Sequence, residues 1–306
     1  MPRVDSHSPR TPHGDAFAGA HADAHATPAR RRTAPGLANA RAFVAACAAR
    51  TASSPWRVDR SAFTARLARL VAQPDVLQQR RLNLCGPAAF LRAWAMRDPA
   101  AFAAFAAALY DDGHARIGPF EVRPSPGSLI AEDYAALAAR HGGFPEAADW
   151  LMMGALRDSE NAILPFHGRP DDTVSGMTFP REMARWLRAC GCYEVVADET
   201  SPLVPAGMEY ARSLRPDAAT DVFLLLNLHV LRELRQPTGR RRAATFLTNA
   251  FPDHWAVLAA PVEERPGGVV GVRVWSWGMV LQGEVAAETW RANFYGAVVA
   301  RVARVG

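Results

Sequence analysis

Apolar positions recur at helical spacing through most of the chain's first two thirds, and near Asp221 the pattern changes to short β-branched runs. Alanine-rich amphipathic patterns cover Ala38–Ala49 and Ser61–Ala72, the second carrying Leu67, Leu70 and Val71 as a stripe. A helix is expected from Cys85, with Phe90, Leu91 and Trp94 on one side. Asp98-Pro99 restarts the chain as N-cap and first-turn proline, and Phe102, Phe105 and Leu109 then repeat until Asp112-Gly113. Ile117–Val122 reads as a short strand. Further helical patterns lie at Ser128–Arg140, Pro145–Arg157, Pro180–Ala189 and Pro205–Leu214. Trp94, Trp150 and Trp186 are expected in the core, and Asp158, Glu160 and Asn161 as capping groups after a helix. Beyond Asp221, strands are expected at Val222–Leu231, His254–Val262, Val269–Trp277 and Ala297–Val305, with Pro266-Gly267-Gly268 as a turn. The pattern predicts an α+β fold: a helical N-terminal half packed on a C-terminal antiparallel β-sheet.

Composition changes this picture at the N-terminus. Residues 1–35 are rich in Pro, His, Ala, Ser and Arg and nearly lack large apolar side chains, so they are expected to be a disordered tail. Residues 36–306 are expected to form one domain; 49% of the chain is apolar and 21% charged. The longest apolar runs, Ala100–Leu109 and Val222–Leu231, are too short to span a bilayer. The chain opens without the apolar stretch of a secretory signal, which predicts a cytoplasmic protein or one exported by a specialised secretion system that cleaves no signal.

All 35 basic residues are arginine. Abundant alanine and proline point to GC-rich coding as the cause, although a lysine-free chain would also escape lysine-directed tagging in a eukaryotic host. The net charge is +5, with tight basic clusters only at Arg30–Arg32 and Arg240–Arg242. Neither interleaves aromatic residues as a single-strand binding groove would, so nucleic acid is not the expected partner. Four cysteines make no disulfide framework, and Cys47, Cys190 and Cys192 are expected to be buried and inert. Cys190-Gly191-Cys192 reads as a helix end with a glycine after it. No feature calls for a metal, nucleotide or flavin cofactor.

Cys85 stands apart. It opens a helix, where unpaired N–H groups and the helix dipole favour a thiolate, and Gly86 leaves room for a substrate carbonyl. Among the nine histidines, His254 begins a strand after Phe251-Pro252-Asp253, where its side chain could face a cleft, while His229 lies within an expected strand. A nearby imidazole would take the thiol proton and return it to the leaving group. The Cys85 backbone N–H, with the side-chain amide of Gln79 or Asn83, could form an oxyanion hole.

Gln79–Ala89 resembles the Gln, five residues, Cys-Gly-Pro-Ala signature of papain-like peptidases related to those that process bacteriocin leaders. His254–Leu258 resembles their histidine strand, and Ser276-Trp277-Gly278 resembles the Ser-Trp-Gly that follows the catalytic asparagine of papain-type enzymes. The resemblance implies Cys85 as nucleophile, His254 as base, Gln79 as oxyanion donor and Trp277 as a shield from water. It implies a protein or peptide substrate, with deamidation or acyl transfer as variants of the same thiolate attack. Ala147–Asn161 resembles uncharacterised bacterial proteins, some of them secretion-system effectors, for which a cognate immunity protein would be expected. Two departures stand out. Cys85 and His254 are 169 residues apart, against about 130–150 in the papain group. Trp275 also occupies the asparagine position and cannot accept a hydrogen bond from imidazole. Ser276 or Asn227 could serve as the third member. Trp275 equally suits an interaction protein that keeps the fold without the activity.

Overall fold

A computed structural model describes residues 32–161, 165–235 and 251–302. The first 31 residues, Arg240–Arg242 and the last four residues lie outside the described residues. The chain is mixed α+β, with helices dominating the N-terminal part and an antiparallel sheet the C-terminal part.

Four helices come first: α1 (Ala34–Ala49), α2 (Arg60–Ala72), α3 (Cys85–Arg97) and α4 (Pro99–Asp112). Their boundaries follow side-chain chemistry. Thr33, Asp59 and Asp98 cap α1, α2 and α4 by accepting the N–H of Gly36, Ala62 and Ala101. Gly113, with φ 76°, ends α4 in the left-handed conformation. A hairpin of β1 (Ala115–Ile117) and β2 (Phe120–Val122) follows, so the single strand expected at Ile117–Val122 is a pair turned at Gly118-Pro119. The helix expected over Ser128–Arg140 is split. A 3₁₀ turn at Leu129–Ala131 precedes α5 (Tyr134–Arg140), which Asp133 caps.

Next come α6 (Ala147–Asp158), α7 (Pro180–Ala189), β3 (Val195–Thr200), α8 (Met208–Ser213) and β4 (Thr220–Leu226). The remaining elements are α9 (His229–Arg235), β5 (His254–Leu258), β6 (Glu263–Arg265), β7 (Val269–Ser276), β8 (Met279–Ala286), α10 (Ala287–Asn293) and β9 (Phe294–Arg301). The sheet runs β3-β9-β4-β5-β7-β6, with β8 also on β7, and every pairing is antiparallel. The apolar run Val222–Leu231 is not one strand. Asn227 accepts the His229 N–H on its own Oδ1 and donates its Nδ2 to Phe251 O, which turns the chain and starts α9. His229 is therefore the first residue of a helix, not an interior strand position.

Both faces of the sheet are covered. Phe223, Leu225, Trp255, Val257 and Trp275 pack toward the helical layer, in the same core as Phe90, Trp94, Trp150 and Trp186. Val222, Leu224, Leu226, Ala256, Leu258 and Val274 face a second core with Leu231 and Trp290. The two-residue period of β4 and β5 thus divides the cores. α3 is buried from Cys85 to Ala95 and fixed to the sheet through its C-terminal half. Arg92 stacks 5.0 Å from the Trp275 ring and pairs with Asp75. Arg97 Nε lies 2.7 Å from Asp221 on β4. These anchors set the first turn of α3 against the start of β5. Among the described residues, no helix is long and apolar enough to cross a membrane.

Candidate active site

Cys85 is the first residue of α3 and only 5% exposed. Its Sγ lies 4.0 Å from Asp253 O and receives the backbone N–H of Trp255. Those two residues flank His254. The site exists because β5 and β7 part here. They pair at Val257–Trp275 and Leu258–Val274, and the Ala259 N–H still reaches β7 at Arg273 O, 2.8 Å away. By the same period, the Trp255 N–H faces the β7 edge, and the sulfur takes the place of a strand partner.

The imidazole points elsewhere. Side chains alternate along β5, so His254 sits on the face opposite Trp255, away from the helical layer. Its Nε2 lies 2.8 Å from Ser276 Oγ, and its ring is 5.1 Å from that of Trp277. Trp277 and Gly278 both have positive φ (51° and 76°), the twist a two-residue hairpin between β7 and β8 requires. A Cβ on Gly278 would fall 2.3 Å from Gln78 Cγ, so the hairpin tip rests directly on the segment preceding α3. Trp275 faces the helices and donates Nε1 to Asp75 O at 2.9 Å. It serves as a clamp between sheet and helical layer. Among the described residues, no hydrogen bond joins the Cys85 thiol to His254.

Both groups are neutral at rest. Burial pushes the Cys85 thiol up to about 11, and the nearby Asp253 carboxylate adds to this, outweighing the N–H groups of Trp255, Gly86 and Cys85 itself. Burial lowers His254 to about 3. Desolvation thus exceeds the helix-terminal stabilisation that would favour a thiolate at the helix start.

Each of the expected side-chain oxyanion donors commits one amide N–H to a backbone carbonyl. Gln79 is buried and donates Nε2 to Leu82 O at 3.1 Å, closing the turn in which Arg80 takes a positive φ. Asn83 Nδ2 donates to Thr173 O at 2.7 Å. Asn227 serves the α9 turn, so Ser276 is the residue that holds His254.

Sequence reasoning missed Asp253, Trp255 and Thr178. Asp253 directly precedes the histidine and anchors the Leu228 N–H on Oδ1 at 2.6 Å. Trp255 supplies the N–H on the sulfur and donates Nε1 to Thr178 O at 3.0 Å. Thr178 belongs to a segment that covers the site: a Cβ on Gly86 would lie 2.4 Å from its Cβ and Oγ1, and one on Gly176 would lie 2.7 Å from Asn83 O. No local pattern marks Thr178, which reaches the site only through the tertiary fold. Gly86→Ala is expected to cost about 1–3 kcal/mol by overpacking against Thr178, measured by denaturant unfolding. An unchanged midpoint would mean that this cover shifts freely.

Asp158, Glu160 and Asn161 clamp loops. Asp158 accepts the N–H of Ser125 and Phe166, Glu160 takes the Trp186 indole N–H, and Asn161 joins Arg157 to Ser175 O. Among the described residues, no group of three or more His, Cys, Asp or Glu side chains could hold a metal ion. Compared with known proteins, the chain matches no family model, no curated protein and no solved structure.

Proposed function

We propose that this chain is a papain-like cysteine hydrolase acting on a peptide or amide carbonyl, with Cys85 as nucleophile and His254 as base. One observation supports this reading above the rest: three stretches far apart in sequence meet at one place. Gly278 packs on Gln78 just ahead of the Cys85 helix, Cys85 Sγ lies against Asp253 O, and His254 contacts Ser276 and Trp277. In the tautomer that donates Nε2–H to Ser276 Oγ, the other ring nitrogen carries the basic lone pair. In an opened form, where the ring turns toward the sulfur, that nitrogen removes the thiol proton. The thiolate then adds to the carbonyl, the imidazolium protonates the departing amine, and water hydrolyses the thioester. Trp277 keeps water from the imidazole.

The test is the rate of Cys85 alkylation by iodoacetamide at pH 7 in wild type and His254→Gln. General-base assistance is worth roughly 10²–10⁴-fold, so the variant should react at least about 100-fold more slowly. Equal rates would overturn the hydrolase reading. The second reading is then a non-catalytic interaction protein. It draws on Trp275 at the asparagine position and on the neutral, separated thiol and imidazole.

A further inference from the structure

Among the described residues, the non-glycine residues with positive φ are Arg80 and Trp277, both at 51°. They belong to segments that touch. Arg80 follows Gln78 by two residues, and Gln78 packs on Gly278, next to Trp277. Left-handed backbone at a residue other than glycine is strained and gathers at functional sites. At Arg80 the turn is closed by the Leu82 N–H on Gln79 O and by Gln79 Nε2 on Leu82 O, both at 3.1 Å. Arg80 and Arg81 are left exposed on this turn, just ahead of Cys85. The Trp277 ring is 5.1 Å from the His254 ring and carries the Arg235 guanidinium 5.5 Å from its centroid. A cation over an indole is held by the ring face, with its N–H donors still free to bind. Arg235 ends α9 and is exposed. Among the described residues, Arg80, Arg81 and Arg235 have no carboxylate partner, whereas Arg92, Arg97 and Arg157 pair with Asp75, Asp221 and Glu182. The acidic groups of adjoining segments are engaged elsewhere: Asp253 and Glu233 accept the N–H groups of Leu228 and Ala286.

We propose that the Cys85 site selects acidic peptide substrates, with Arg80 and Arg81 beside the Gln78–Gly278 contact and Arg235 over Trp277 binding carboxylate side chains near the bond attacked. The guanidinium fork matches a carboxylate through two parallel hydrogen bonds, which a lone ammonium would not provide. Three such forks around one site also raise the local concentration of an anionic ligand before it docks. As a substrate class for the Cys85 nucleophile, this rests on the hydrolase reading.

The experiment alkylates the native full chain with anionic iodoacetate and, separately, with neutral iodoacetamide. Mass mapping separates the Cys85 rate from those of Cys190 and Cys192, which are half-buried rather than buried as expected. Measured against a neutral model thiol, N-acetylcysteine amide, the iodoacetate-to-iodoacetamide ratio at Cys85 should be at least about threefold higher at low salt. The gain should vanish near 1 M salt, where the screening length falls to about 3 Å. Arg235→Gln, and Arg80→Gln combined with Arg81→Gln, should each lower the ratio about twofold or more. Arg41→Gln, which removes an exposed charge from α1, should not. A ratio equal to that of the model thiol, or one indifferent to salt and to the three arginines, would overturn the proposal. So would a Cys85 closed to both reagents, because the arginines would then border no path to the thiol. The hydrolase reading is decided by iodoacetamide alone in wild type and His254→Gln, so its failure is distinct from a failure of charge selection. The wild-type salt dependence stands even if a variant fails to fold.

Discussion

Acidification from pH 7 is expected to remove about 3 kcal/mol of folding stability by pH 4 and about 4 kcal/mol near pH 3 through His254 alone. Its imidazole is held near 3 by burial, against 6.5 in the unfolded chain. Below pH 6.5 the unfolded state binds a proton that the folded state refuses, so stability falls as pH falls through that window. The contribution is fully present above 6.5 and gone once the folded ring itself protonates. Asp149 acts in the opposite sense. Burial raises it from 3.8 to about 6 despite its bonds to Arg66, so its protonation favours the folded state on the way down. The measurement is therefore a difference: urea unfolding of wild type and His254→Gln across pH 3–8. The glutamine keeps a neutral hydrogen-bonding partner for Ser276 and cannot charge. The two stability curves should converge by several kcal/mol on acidification. Parallel curves would show that His254 titrates normally and is not held neutral by burial.

That His254 is buried and bonded to Ser276 was not legible in its sequence neighbourhood. The helix starts were, because caps and prolines are local: Asp98-Pro99 and Asp112-Gly113 bound α4 as expected. The switch from helical to strand periodicity near Asp221 also marks where β4 begins. The misread elements are those where one polar side chain overrides an apolar run. Asn227 cuts Val222–Leu231 into a strand and a helix by bonding its own backbone neighbours. β8 escaped notice because its pattern alternates weakly and begins with exposed Met279 and Val280. At the site, the convergence of Cys85 with the His254 strand followed from motif order. The orientation of the imidazole depends on the pleat of β5, and the state of the thiol on burial by Thr178 and β5. Both are tertiary properties that no short motif carries.

The cover over Cys85 rests on a buried ion pair, and breaking that pair should be the most damaging substitution outside the site. Glu182 in the first turn of α7 accepts Arg157 Nη1 at 2.5 Å and Nη2 at 3.1 Å, and both side chains are at most 5% exposed. The same carboxylate reaches back to the Phe179 N–H at 2.8 Å, next to Thr178, whose carbonyl holds Trp255 and whose side chain covers Gly86. Glu182→Gln keeps the shape and leaves the Arg157 guanidinium buried without its counter-charge. Removing one partner of such a pair costs about 3–5 kcal/mol, to be read as a lowered denaturant midpoint. Arg157→Met combined with Glu182→Gln should recover part of this loss, because the stranded charge is then gone as well. Native-state alkylation of Cys85 should also speed up in Glu182→Gln, since the Phe179 N–H beside Thr178 then has only a neutral amide oxygen in place of the carboxylate. A variant as stable as wild type would mean that Asn161, the other partner of Arg157 Nη2, holds the guanidinium adequately by itself. A destabilised variant with unchanged alkylation would separate the ion pair from the cover and leave burial against β5 as the sole barrier to the thiol.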